Sequence, residues 1–163
     1  MNKKTVLGFI VITLAVFSAF SQEQYDPAEH FSVRIIANGN AVEITGYTGG
    51  RTSVRIPARI QNLPVTVIGN MAFRDKQLTS VTIPDSVTTI EWGAFGGNQL
   101  TSVTIPNSVT ALSGFNENQL TSVTIPDSVT TSQITGIVIK ERYINFTLTK
   151  MMYHIEIIEY IMM

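Results

Sequence analysis

Apolar residues recur along the middle of the chain at two alternating spacings, first two apart and then three to five apart. From Leu78 the apolar positions are Leu78, Val81, Ile83, Val87, Ile90, Ala94 and Phe95. In an extended segment Val81 and Ile83 point to one side and Thr82 to the other. The β-branched run Thr79, Val81, Thr82 and Ile83 favours that extended form. Pro84 ends it, because proline has no N–H to give to a ladder. Asp85 and Ser86 are turn formers, and Val87, Ile90, Ala94 and Phe95 bring the chain back in a helical or irregular turn. The phrase is written three times: QLTSVTIPDSV from Gln77, QLTSVTIPNSV from Gln99 and QLTSVTIPDSV from Gln119, with starts 22 and then 20 residues apart.

One such coil cannot bury its apolar set alone. Stacked coils can, with neighbouring strands about 4.8 Å apart. The next coil supplies Leu100, Val103, Ile105, Val109, Leu112 and Phe115, and the third Leu120, Val123, Ile125 and Val129. A degenerate copy precedes them: VTVIGNMAFRDKQL from Val65 aligns with VTTIEWGAFGGNQL from Val87, and TSVRIP from Thr52 matches TSVTIP, with ARIQNLP inserted between. Downstream, QITGIVI from Gln133 to Ile139 is a fifth strand candidate, only 14 residues after its predecessor, which implies a missing half-coil. The spacing L-x-x-L-x-L over Leu78, Val81 and Ile83 marks the strand of a leucine-rich repeat. The expected fold is a leucine-rich-repeat solenoid, with short parallel strands on one face and turns or short helical segments on the other.

The flanks read differently. Phe31 to Ala37 and Ala41 to Tyr47 flank Asn38-Gly39-Asn40, a short hairpin signal. Phe31, Val33 and Ile35 alternate, as do Val42 and Ile44, which predicts an N-terminal β-hairpin cap over the open end of the stack. The expected organisation is a signal peptide at 1–21, a flexible lead at 22–30, the hairpin cap at 31–50, the repeat array at 51–139 and an atypical tail at 140–163. In the signal segment Lys3 and Lys4 form the positive start, Val6 to Phe17 is apolar, and Ala19 and Ser21 are the small residues before cleavage. The alternative reading of that segment is an uncleaved membrane anchor. In the tail, Met151, Ile155, Ile158 and Met162 would line a helical face, and Tyr153, Ile155 and Ile157 a strand face. The segment reads equally as a cap over the last coil or as a frame-shifted end.

The phrase TSVTIPDSVTTIEWGAF, with the lead-in VEITGYTGGRTSVRIPARIQNLPVTVIGNMAF, resembles the BspA-type leucine-rich repeat proteins of host-associated bacteria, over about Phe31 to Val129. The resemblance implies an exported surface protein that uses a repeat scaffold for adhesion or other protein contacts. It brings no catalytic residues. The short third coil and the tail depart from the pattern.

Composition narrows the chemistry further. The formal net charge of −1 gives no global pull toward nucleic acid or an anionic membrane surface. No Lys or Arg falls between Lys76 and Lys140, whereas Asp85, Glu91, Glu117 and Asp127 do, so the clean repeats are mildly acidic. The chain has no cysteine, which excludes disulfides, thiolate metal sites, a cysteine nucleophile and a lipidated cysteine. His30 and His154 are isolated, with no metal-ligand spacing around them. There is no G-x-S-x-G elbow, P-loop or dinucleotide motif, so neither an enzyme nor a cofactor is expected. Gly49-Gly50 and Gly96-Gly97 read as turn glycines. Asp85, Asn107 and Asp127 would stack in a row, which fits turn formation after proline better than a shared cation. Asn145-Phe146-Thr147 matches a glycosylation sequon by chance in a chain of bacterial appearance.

The outward side of the strands carries the one surface pattern. Ser80, Ser102 and Ser122 align, as do Thr82, Thr104 and Thr124, with Ser53 and Arg55 in the preceding coil and Val138 in the following one. Arg55, Ser80, Thr82, Ser102, Thr104, Ser122 and Thr124 form the candidate binding face, since a solenoid docks partners on its sheet; threonine ladders also fill such positions because they pack well there. Trp92 is either an exposed contact residue or a partly buried coil residue. The function expected is an exported protein-interaction module for cell-surface adhesion or host-protein binding, at the cell surface, extracellular or in the periplasm. Its partner would be an extracellular or host protein, with no nucleic acid and no membrane span after signal cleavage. The alternative is a truncated or vestigial repeat fragment with no independent activity. Sequencing the N-terminus of the exported product should return Gln22 as its first residue; a start at Met1 would overturn the cleavage assignment.

Overall fold

The computed structural model describes residues 25–129 in full, together with the backbone of residues 134–135 and 144–145. The expected signal segment, His154 and both faces expected of the Met151–Met162 stretch lie outside the described residues. The chain forms β1 (Phe31–Ile36), β2 (Ala41–Tyr47), β3 (Ser53–Arg55), β4 (Arg59–Ile60), β5 (Leu63–Ile68), β6 (Ser80–Thr82), β7 (Thr89–Ile90), β8 (Ser102–Thr104), β9 (Ala111–Ser113), β10 (Ser122–Thr124), β11 (Ile134–Thr135) and β12 (Ile144–Asn145).

Each coil contributes two short strands rather than one. The S-V-T strands form parallel pairs on one side, β3 with β6 and β8 with β10 and then β12. The returning segments form a second parallel ladder, β5-β7-β9-β11. The return was expected as a helical or irregular turn. Its β-branched start (Thr88, Thr89, Ile90) makes it a strand first, and turns follow at residues 92–97. The inserted ARIQNLP folds as a small hairpin, with Arg59 opposite Pro64 and Ile60 opposite Leu63. Gln61 and Asn62 at its tip both have positive φ (52° and 62°), as a tight hairpin turn requires.

The fifth strand needs correction. Ile134–Thr135 does not follow β10 on the S-V-T side; it extends the return ladder, opposite Leu112 and Ser113. Two extra residues between Val129 and Ile134 restore the step of 22, so no half-coil is missing there. The strand beside β10 is Ile144–Asn145, with Asn145 opposite Thr124 in the place expected for Val138. Parallel pairing thus runs past residue 139.

The hairpin cap forms as expected, β1 antiparallel to β2, and β2 lies parallel on β5. Ala37, Asn38 and Gly39 all take positive φ at its tip. The expected alternation on β1 holds for Phe31 and Val33, which pack on the core, and ends at Ile35; the register shift between Ser32 and Val33 falls on β2, where Thr45 is the extra residue. Phe31 is buried, whereas Ile35 is 55% exposed. Glu43, on β2, is buried and receives the Arg34 guanidinium, whose Nε donates at 3.2 Å. Gly69 permits the cap to lie this close: a Cβ there would come 2.9 Å from the Ile44 carbonyl oxygen.

Inside the coils an aromatic column runs along the stack. Tyr47, Phe73, Phe95 and Phe115 stack with ring centroids 5.3, 5.0 and 4.9 Å apart, and Phe31 meets Phe73 edge-on at 6.2 Å. These spacings match the inter-strand distance of about 4.8 Å, so the backbone step sets the ring stacking. Leu78, Leu100 and Leu120 form a parallel column, as do Val87, Val109 and Val129, and all six are fully buried. Val103 and Val123 are buried with them; Val81 is half-buried and packs against the same core.

One polar column lies within this core. Asn98 accepts from the backbone N–H of Lys76 (3.1 Å) and Leu78 (3.0 Å), and its Nδ2 donates to the carbonyls of Phe73 and Phe95, both at 2.8 Å. Asn118 repeats the arrangement one coil on, accepting from Leu100 N–H at 3.1 Å and donating to Phe95 and Phe115 carbonyls at 2.9 and 3.0 Å. Each asparagine ties the aromatic turn of two coils to the start of a strand, satisfying backbone groups that burial would otherwise strand. The first copy reads D-K-Q-L, with Lys76 in the asparagine's place.

Phe95→Ala should lower unfolding free energy by about 3–5 kcal/mol, the range for a deleted core aromatic. Asn98→Leu, which keeps the branching at Cγ, should cost at least about 2 kcal/mol, because it leaves several buried backbone groups unpaired. Urea denaturation with Ser102→Ala as a surface reference, expected within about 0.5 kcal/mol of the parent, measures both. A loss below about 1 kcal/mol for Asn98→Leu would mean that the asparagine column does not hold the coils together.

Candidate functional site

The outward residues of the S-V-T strands stand in register. Ser53 is opposite Ser80, and Arg55 opposite Thr82. Ser102 is opposite Ser122, and Thr104 opposite Thr124. All the serines and threonines of this set are exposed, while the valine between them points inward. The seven candidate residues therefore share one side of the molecule, in two groups. β6 and β8 lie side by side without completing a ladder, and a bond from Gln99 N–H to the Leu78 carbonyl (2.8 Å) keeps their coils in step. Flanking threonines hold the stack from outside: Thr79 Oγ1 donates to the Thr52 carbonyl and Thr121 Oγ1 to that of Thr101, at 3.3 and 3.2 Å.

A surface of hydroxyls can hydrogen-bond and pack against another chain, but supplies no general base. Among the described residues no three His, Cys, Asp or Glu side chains converge as a metal site would need. Asp85, Asn107 and Asp127 are exposed, each just after the proline of a turn in which the proline carbonyl accepts from valine N–H at 3.1–3.2 Å.

At the N-terminal end of the face lies a second feature that the sequence did not suggest. Tyr25 to His30, expected as part of a flexible lead, is pinned to the first coil. β3 is the edge of its sheet, with backbone groups open on one side, and Asp26 occupies them. Asp26 N–H donates to the Arg55 carbonyl at 3.0 Å, and Arg55 N–H donates to Asp26 Oδ2 at 2.9 Å. The other carboxylate oxygen accepts from the Tyr47 hydroxyl at 3.0 Å, and Arg51 Nε stands 3.8 Å away. Asp26 is 2% exposed. Beside this clasp lies a shallow, wide-open cleft of about 610 Å³ lined by Gly50, Arg51, Thr52, Ser53 and Arg55. The Arg55 guanidinium lies 5.8 Å from the centroid of the Tyr25 ring.

On the turn side, Trp92 is 52% exposed. Four residues separate Ile90 from Phe95, but only two separate Leu112 from Phe115; Ser113 stands where Glu91 does and Gly114 where Ala94 does, so Trp92-Gly93 has no counterpart in the next coil. Gly97 has φ +65°, and Asp75 and Glu117, its equivalents in the neighbouring coils, also have positive φ. The space a Gly97 side chain would fill is taken by the Asp75 carboxylate. Arg74 pairs with Asp75 (3.4 Å) and Glu117 (3.0 Å) across the same turns.

No helix among the described residues is long and apolar enough to cross a membrane. The family model for the BspA type leucine rich repeat region matches residues 52–156, in six copies. A leucine-rich repeat protein from Bacteroides capillosus is similar in structure, with 26% identity and a TM-score of 0.49, over 72% of this chain and 95% of that one. A leucine-rich repeat protein from T. pallidum is similar with 21% identity and a TM-score of 0.42, over 63% of this chain and 72% of that one. No curated protein matches the chain.

The Tyr47 hydroxyl is pushed up to about 12, first by burial and then by its hydrogen bond to Asp26 and that residue's charge. In the unfolded chain tyrosine ionises near 10. Between those values the folded state keeps a proton that the unfolded state has lost, so stability falls as pH rises through the window and is complete below it. Melts between pH 9 and 12 should show this decline, and Tyr47→Phe should flatten it. An unchanged slope in Tyr47→Phe would place the titrating group elsewhere.

Proposed function

The chain belongs to the BspA-type leucine-rich repeat family, and from that membership we propose that it is an exported interaction module that contacts proteins of a host or neighbouring cell through its strand face. What carries the reading is the register of Ser80 with Ser53, Thr82 with Arg55 and Thr104 with Thr124, which leaves two adjoining rows of exposed hydroxyls, on one side of the molecule, over a core that holds the apolar side chains. Such a strip offers donors and acceptors at a regular spacing and no charge of its own beyond Arg55. A partner gains specificity there by matching the step of the coils.

The strip is small. Four strands span about 14 Å across and about 10 Å along, well short of the roughly 800 Å² per partner of a stable interface. Docking therefore extends onto the flanking turns, and the cleft at Arg51 and Arg55 adjoins the strip directly. Lysine at Thr82, Thr104 and Thr124 would add bulk and unpaired charge at the centre of the contact while leaving the inward valines in place. The triple substitution should weaken binding of the exported protein to extracellular-matrix proteins at least tenfold in a surface-binding assay, with its melting temperature little changed. Unaltered binding would move the site off this face.

A further inference from the structure

The cations near the stack are gathered at one end. Among the described residues before Gln77 stand Arg34, Arg51, Arg55, Arg59, Arg74 and Lys76, against Asp26, Glu29, Glu43 and Asp75; from Gln77 to Val129 there is no Lys or Arg, but Asp85, Glu91, Glu117 and Asp127 are present. Two of the cations, Arg51 and Arg55, line the cleft with Gly50, Thr52 and Ser53. Both are positioned by neighbours, Arg51 by Asp26 at 3.8 Å and Arg55 by the Tyr25 ring. Asp26 offsets part of their charge, but it is buried and its oxygens already accept from Tyr47 and the Arg55 amide. At Gly50 a side chain would meet nothing within 4 Å, so the cleft is open there.

We propose that this cleft binds a carboxylate of an acidic protein segment, which continues in extended form over Ser53, Ser80 and Thr82. A guanidinium fork matches a carboxylate with two parallel hydrogen bonds, and the Thr52 and Ser53 hydroxyls supply further donors beside it. The carboxylates of the later coils repel an acidic ligand, and the screening length of about 8–10 Å is only two coil steps. The segment therefore lies with its acidic end over β3 and a neutral or basic end over β8 and β10. The partner class rests on the docking reading above; the carboxylate chemistry is local to the cleft.

The test uses the intact chain and a fluorescein-labelled octaglutamate peptide, with a neutral Gly/Ser peptide as reference and heparin as competitor. Octaglutamate should bind, with affinity falling as salt rises, and Arg51→Gln or Arg55→Gln should each weaken it at least fivefold. Arg55→Gln keeps the backbone bonds to Asp26, so its loss of binding is separable from misfolding. Lys76→Gln, which removes a cation from the same end but outside the cleft, should change affinity less than twofold. Equal binding of the Gly/Ser peptide, or full binding by both arginine variants, overturns the proposal. Displacement by heparin at a tenfold lower concentration than by unlabelled octaglutamate overturns the assignment to a protein segment in favour of a sulfated glycan. If the threonine-to-lysine triple variant keeps matrix binding while the arginine variants lose octaglutamate, the strand-face reading falls and the cleft stands. If the triple variant loses matrix binding while the arginine variants keep octaglutamate, the cleft falls and the strand face stands.

Discussion

The coil-to-coil step governs this molecule. Parallel strands must lie about 4.8 Å apart to hydrogen-bond, and aromatic rings prefer to stack at a similar distance. Here both demands are met by one repeat, with Tyr47, Phe73, Phe95 and Phe115 separated by 4.9–5.3 Å. No coil has a core of its own; Phe73 and Phe95 are each covered on both faces by rings of the neighbouring coils. Stability is consequently shared along the stack, nearest neighbour to nearest neighbour, and the cap supplies Tyr47 and Phe31 where a preceding coil would have supplied a phenylalanine.

The asparagine column completes this arrangement. A turn that brings an aromatic residue inward also drags its backbone carbonyls out of water. Asn98 and Asn118 answer with two donors and an acceptor each, placed by the N-Q-L phrase that opens the next strand. Because each amide reaches the coil before it as well as its own, the side chain registers one coil on another. The threonines outside do the same at the surface, more weakly.

Much of this was legible in the sequence. The three S-V-T strands, the buried leucine, valine, isoleucine and phenylalanine positions and the capping hairpin follow from spacing alone, because near-identical phrases must occupy near-identical environments. What was not legible depends on contacts between segments remote in sequence. Asp26 looks like any polar residue in a lead, and only the open edge of β3 makes it a buried ligand of Arg55 and Tyr47. The step from Val129 to Ile134 reads as a break until pairing with Leu112 reveals two inserted residues. Asn98 and Asn118 had left a signal, the shared N-Q-L, that the apolar pattern overshadowed. Ile35 departs from the alternation that Phe31 and Val33 keep, because it lies next to the hairpin tip, beyond the core they pack against. On the candidate face, the sequence placed all seven residues on one side but not the break between β6 and β8.

A solenoid presents the same strand repeatedly, and its first strand is an invitation for another molecule to add one more. At β3 that invitation is withdrawn by Asp26, whose amide and carboxylate take up the carbonyl and N–H of Arg55. A foreign strand would first have to displace a buried carboxylate held by a tyrosine hydroxyl, which makes runaway end-to-end growth from this edge costly. The residues just after the expected cleavage point thus work as a stopper that keeps a sticky architecture in single file.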